Sequence, residues 1–453
     1  MDIASRLDAL FLKKKLYEPP APTEAPPRRD AGPWPERAER FLAAFHGARI
    51  EERGGADCRV IRMRTDIAVG DEAGAYSLPM RWHGDLGVLG AELPPDLGLG
   101  EVAYLDTETT GLSRGSGTIA FLIGIGWFES PERFAVELLF AEDFCHERAL
   151  LEAALERLRP FRALATYNGA GFDLPLLRTR AVMNRMRPSD WRWPHLDLLP
   201  WARRLWKGAF ENCRLGTIER RVLGIARTRD VADSAEIPAL WQAFARDGDP
   251  ARLGDVFAHN IQDIATLGAL AHHAAGLRAR CEEPGVLAWR TEFWGLARLF
   301  EREGDCARGA ALMAMAARAE WADGEATAAE ADAFAMEEAR LWRRAGMLQR
   351  AAVLWRGMLA RPLASAWPAW IELAKHLEHR ERAWDEALRL VEGALRQLEL
   401  EEDLASLTGR AAGASCPVAV RDDLRKRAAR LRRKHASSGA GSGENVAGAG
   451  LSP

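Results

Sequence analysis

An apolar run, Val102-Ala-Tyr-Leu105, continues into two carboxylates at i and i+2, Asp106 and Glu108, and then meets Thr-Thr-Gly111. Strand side chains alternate faces, so these two acids leave the same side of a sheet. Like charges that close repel, and a fold keeps them where a cation or a proton offsets the cost. Thr-Gly supplies a turn, and Thr118 to Phe128 reads as a second strand. Paired carboxylates on a strand beside a hairpin suit hard divalent ions such as Mg²⁺ or Mn²⁺. Taken alone, the pattern equally describes an acidic strand end in solvent.

Composition narrows the class. The 453 residues leave room for two or three domains, and 48% hydrophobic with 28% charged residues is ordinary for a globular protein. Every long apolar stretch is broken by charge or glycine, so no membrane span is expected. The first lysines follow the apolar residues, the wrong order for a secretory signal. Six cysteines stand far apart without paired spacing. This argues against a disulfide framework or a zinc site and fits a reducing cytoplasm, where the protein is expected. Net charge is only −3, yet Arg157 to Arg229 holds 16 Lys and Arg against five acids. A basic belt beside carboxylates suits a phosphate backbone.

The expected organisation is as follows. Residues 1–35 are rich in Pro and charge and read as a linker or disordered arm. Residues 36–98 read as a small accessory region with a helix near Arg37–Phe45 and strand-like pieces at Cys58–Met63 and Gly87–Leu89. Residues 99–277 alternate strands and helices: strands at Val102–Thr107, Ile119–Phe128, Phe134–Phe140 and Ala163–Tyr167, helices at Glu147–Leu158, Leu174–Met186, Arg214–Val222 and Gly254–His273. This is an α/β domain with a mixed sheet. Residues 283–400 read as all-helical. Ala297 and Ala310, Ala339 and Ala352, and Ala374 and Ala387 are each thirteen apart, and the three pairs recur at offsets of 42 and 35. Those offsets lie near the tetratricopeptide period of 34 residues. Residues 401–435 read as a basic helical segment, and 436–453 as a disordered tail.

Two further acids fall at meaningful places. In Asn168-Gly-Ala-Gly-Phe172-Asp173, the aspartate stands at a strand-to-helix junction, where an N-cap role would suffice. His259 and Asp263 lie at i and i+4 inside a helix, and so on one face.

Together, Leu-Asp106-Thr-Glu108-Thr-Thr-Gly, Tyr-Asn168-Gly-Ala-Gly-Phe172-Asp173-Leu-Pro and His259-Asn260-Ile-Gln-Asp263 resemble the three motifs of the DEDD exonuclease superfamily. His195-Leu-Asp197-Leu-Leu, Cys213-Arg-Leu-Gly-Thr-Ile-Glu219, Ile237-Pro238 and the helical repeats behind resemble, more narrowly, the bacterial YprB-like ribonuclease H-like proteins. The resemblance implies a ribonuclease H-like α/β fold, a mixed five-stranded sheet flanked by helices, followed by an all-α tetratricopeptide-like repeat domain. It implies a 3′→5′ exonuclease on single-stranded RNA or DNA that uses two divalent ions held by Asp106, Glu108, Asp173 and Asp263. Glu108 would also steer the attacking water, and His259 would take its proton. Thr109, Gly111, Asn168 and Phe172 would line the substrate, and the repeats would hold a protein partner. His195 and Asp197 are expected to be structural or substrate-lining. One departure stands out: the histidine lies four residues before the last aspartate, where the superfamily places tyrosine, and not five. A structure-selective endonuclease and a nucleic-acid-binding adaptor are the alternatives.

Overall fold

The computed structural model describes residues 34–53, 58–69, 77–78, 85–90, 92–111, 117–225, 236–319, 321–322, 324, 327–360, 363–408 and 417–440. Most of the expected N-terminal arm and residues 441–453 of the expected tail lie outside the described residues. The chain divides into two units, Met1–Cys281 and Glu282–Pro453.

The strands of the first unit are β1 (Arg49–Glu52), β2 (Arg59–Val69), β3 (Ser77–Leu78), β4 (Val102–Thr109), β5 (Ala120–Ser130), β6 (Arg133–Phe140), β7 (Ala163–Thr166) and β8 (His195–Asp197). Its helices are α1 (Trp34–Ala44), α2 (Glu147–Leu158), α3 (Asp173–Met183), α4 (Leu198–Trp206), α5 (Leu215–Arg221), α6 (Ile237–Asp247) and α7 (Leu253–Arg280). The sheet order is β1-β2-β6-β5-β4-β7-β8, with β3 on β2. From β1 to β4 along that path the neighbours are antiparallel, and β4-β7-β8 are parallel.

The sheet therefore has eight strands, a correction to the expected five. The four strands read within residues 99–277 are present as β4, β5, β6 and β7, His195–Asp197 adds β8, which was not read as a strand, and the 36–98 region extends the sheet at the β6 edge. Residues 59–69 alternate apolar and polar side chains, the pattern of a strand with one face on the core. What the pattern could not name is the partner, β6, some seventy positions later. Gly87–Leu89, read as strand-like, is a single 3₁₀ turn, because the amides of Leu89 and Gly90 bond back to Leu86 O and Gly87 O.

β5 and most of β6 are buried on both faces, as the central strands of a sheet covered on two sides must be. On one face α2 packs Leu150, Ala153, Ala154 and Leu158 over Ile123, Ile125 and Leu139. The 28-residue α7 lies across the other. Its close approach depends on missing side chains. A Cβ on Gly124 would stand 1.9 Å from Asn260 Oδ1 and 2.2 Å from Ile264 Cδ1, and one on Gly126 would stand 2.4 Å from Ile264 Cγ2. Filling such a seat forces a shift costing about 1–3 kcal/mol.

The second unit is helical: α8 (Arg290–Glu303), α9 (Cys306–Ala316), α10 (Ala328–Arg344), α11 (Leu348–Met358), α12 (Leu363–His376), α13 (Trp384–Thr408) and α14 (Val418–Ala440). Each packs on the next. The six alanines of the thirteen-residue spacing fall pairwise on α8/α9, α10/α11 and α12/α13, and all are buried. A side chain of one carbon lets paired helices approach closely. Among the described residues no helix is long and apolar enough to cross a membrane.

Candidate active site

β4 sends its residues to two different neighbours. Tyr104, Asp106 and Glu108 face α7, where the Tyr104 hydroxyl lies 3.3 Å from His272 Nε2. Asn260 Nδ2 donates to Asp106 Oδ2 at 2.7 Å. His259 Nε2 lies 3.9 Å from Glu108 Oε1 and 3.4 Å from Asp263 Oδ2. The expected one-face geometry of His259 and Asp263 thus turns both toward the strand pair. A register shift at Glu108/Thr109 breaks the β4–β5 ladder at this point, as bulges beside functional side chains commonly do. Glu108, His259 and Asp263 keep only 12%, 11% and 14% of their side chains exposed, so the three groups meet mostly shielded from solvent beside one another.

Thr107, the residue between the two acids, donates to Asp173 Oδ1 at 2.5 Å. Asp173 is the first residue of α3; Phe172 occupies the N-cap position and makes no side-chain cap bond. The N-cap reading of Asp173 is therefore replaced by a buried bond to the middle residue of the acidic strand. Burial pushes the Asp173 carboxyl up to about 6, against the lowering effect of the Thr107 hydroxyl.

The loop leading to Asp173 is organised by residues outside the three acidic motifs. Asp197 Oδ1 accepts the amides of Asn168 at 2.7 Å and Leu199 at 3.1 Å, and Oδ2 accepts that of Ala170 at 3.2 Å. Asn168 sits at φ 67°, the left-handed region that asparagine tolerates. Gly169 donates to Thr166 Oγ1 at 3.1 Å, and a Cβ there would stand 2.2 Å from the same oxygen. His195 Nε2 completes the chain at 2.8 Å from Thr166 Oγ1, and burial holds its imidazole below the usual histidine range. His195 and Asp197 thus serve structural roles. The signal that sequence reading passed over is Gly124 and Gly126 on β5, together with Asn260 between His259 and Asp263.

The other expected site residues divide. Thr109 is buried and its hydroxyl donates to Gly111 O at 2.9 Å, so both hold the end of β4. Asn168 is exposed and lines a cleft of about 830 Å³ with Tyr167, Arg203, Arg214, His259 and Asp263. Phe172 is half-buried. Trp191 is fully buried against Trp193 and belongs to the core.

Carboxylate oxygens from Asp106, Glu108 and Asp263, with imidazole beside them, are a donor set for a hard divalent ion. Their chemistry fits such an ion. Among the described residues no group of three or more His, Cys, Asp or Glu is already gathered at metal-holding distance, and Asp173 is engaged by Thr107.

Comparison with known proteins agrees with this architecture. The chain is 29% identical over 336 residues to the uncharacterized protein YprB of Bacillus subtilis (strain 168), covering 74% of this chain and 75% of that one. A family B DNA polymerase from the archaeon Pyrobaculum calidifontis is matched at 14% identity with a TM-score of 0.34, over 56% of this chain and 34% of the polymerase. Residues 103–275, which contain β4 through nearly all of α7, match the RNase_H superfamily. That match is to a ribonuclease H superfamily domain, and it supports a nuclease-type function.

Proposed function

We propose that this protein is a metal-dependent nuclease of the DEDD type, a 3′→5′ exonuclease on single-stranded RNA or DNA. The observation that carries the reading is the meeting of Asp106 and Glu108 on β4 with His259 and Asp263 on α7, in a pocket open to a cleft. Asp106, Glu108 and Asp263 would hold divalent ions, Mg²⁺ or Mn²⁺, and Asp173 would join them on release from Thr107. Two such ions, when bound, stabilise the attacking and leaving oxygens of an in-line displacement at phosphorus. His259 stands between Glu108 and Asp263, where it takes the proton of the attacking water. Asn260 holds the Asp106 carboxylate in one orientation through its 2.7 Å bond. Exonuclease mode and 3′→5′ polarity rest on the likeness of the three motifs.

The test is purified full-length protein on 5′-labelled single-stranded and duplex RNA and DNA, with Mg²⁺, Mn²⁺ or EDTA. A ladder shortening from the 3′ end, lost in EDTA and in Asp106→Ala, is expected. Internal cuts would replace this reading by a structure-selective endonuclease. Salt-sensitive binding without hydrolysis under every metal would make the protein a nucleic-acid adaptor.

A further inference from the structure

The cleft that reaches His259 and Asp263 has a second wall, built from α4, the Asn212–Arg214 turn and α5, which none of the acidic motifs explains. Three arginines line it. Arg220 is paired with Glu211 at 2.7 Å. Arg203 and Arg214 are exposed and have no carboxylate partner among the described residues. Arginines on the β2–β6 side of the sheet are held differently: Arg59 binds Glu142, and Arg62 and Arg157 bind Glu137. Two guanidinium forks without acids, beside a pocket of carboxylates, are positioned to receive an anion that approaches that pocket.

Tyr167 supplies a second kind of contact. Its ring lines the same cleft, and its hydroxyl donates to Cys213 O at 2.5 Å, which ties the ring to the turn carrying Arg214. Burial raises both the Tyr167 hydroxyl and the Cys213 thiol, and the Arg203 charge opposes it in both, which locates Arg203 against the same turn. A ring fixed at its hydroxyl end offers a flat face with little entropy left to lose.

We infer that Arg203 and Arg214 hold backbone phosphates of a single-stranded nucleic acid and that the Tyr167 ring stacks one of its bases, delivering the strand to the carboxylates. This rests on the nuclease reading of the neighbouring pocket. A base must leave its neighbours to stack on a side chain, so the site takes a single strand in preference to a duplex.

The test is fluorescence anisotropy of labelled oligo(dT) and oligo(U), ten nucleotides long, with the full chain in EDTA so that no hydrolysis competes. For Arg203→Ala/Arg214→Ala, the expected result is a Kd raised tenfold or more. The slope of log affinity against log salt should become shallower by about 1.4, at roughly 0.7 per single-strand phosphate. Arg203→Lys/Arg214→Lys keeps the charge and should keep the slope, which separates lost contacts from misfolding. An unchanged slope overturns the inference. So does an equal loss in Arg148→Ala/Arg159→Ala, which removes the same charge from α2 and its C-cap. Tyr167→Leu should weaken both oligonucleotides about fivefold or more, with a smaller loss in Tyr167→Phe, which keeps the ring and gives up only the bond to Cys213 O; no loss in Tyr167→Leu removes the stacking role. A dT·dA duplex bound as tightly, with the same arginine dependence, overturns the single-strand preference. Cleavage assays keep the two readings apart. Hydrolysis by the wild type with arginine-independent binding removes this inference and leaves the nuclease. Arginine-dependent binding without hydrolysis in any metal does the reverse.

Discussion

The two faces of β4 hold their carboxylates by different means. On the α7 face, Asp106 and Glu108 meet Asn260, His259 and Asp263 side chain to side chain, and the helix is seated by the absence of side chains at Gly124 and Gly126. On the α3 face, Asp173 arrives at the end of a loop whose amides are gathered by one carboxylate, Asp197. The first half is set by a rigid helix against a rigid sheet. The second is set by a turn, which opens at lower cost than a packed core element.

Five measurements test whether the two halves differ in this way. Asp106→Ala should lower the hydrolytic rate by about 10³-fold or more, since it removes a ligand of the fixed half. A rate within tenfold of wild type in single-turnover assays would mean that this half does not carry the chemistry. Asp173 gives a stability signature without catalysis. Its carboxyl is raised to about 6 by burial, so the folded state binds the extra proton between about pH 4 and 6 and stability falls as pH rises through that window. Asp173→Asn should abolish that fall and gain up to ~3 kcal/mol at pH 7.5, with little gain at pH 4. Urea unfolding in EDTA at both values tests this, and an equal gain at both sinks it.

His259→Ala should cost about 10²-fold near neutral pH, and a pH–rate profile identical to wild type would remove the imidazole from proton transfer. Gly124→Ala should destabilise by about 1–3 kcal/mol, because Asn260 is tied to Asp106 and has little freedom to give way. A variant with the wild-type melting temperature would show that α7 can lift from β5. Asp197→Ala should have the smallest effect on rate, about tenfold, because loss of its amide bonds loosens the loop without removing a reacting group. A loss as deep as that of Asp106→Ala would erase the distinction between the halves.

Legibility in the sequence followed the range of the interactions. Asp106 and Glu108 share a face because strand side chains alternate, and His259 with Asp263 because helical ones repeat each turn; both rules act within four residues. The paired alanines of the second unit were readable for the same reason. The eighth-strand count was not, because β2 carries its alternation openly while its partner β6 is nowhere marked in it. Asp197 was visible beside His195, but its task depends on three amides, two of them in the loop nearly thirty residues before it. Asp173 looked like a helix cap, and Thr107, across the fold, took its carboxylate instead.

The sequence alone determined which residues are acidic, on which local face each stands, and that strands and helices alternate before a run of paired helices. Tertiary structure decided which of those faces meet. α7 reaches β4 only where Gly124 and Gly126 leave room, and Asp173 meets the same strand through Thr107. Periodicity is a property of the chain next to itself, whereas contact between distant segments is set by how tightly their surfaces pack.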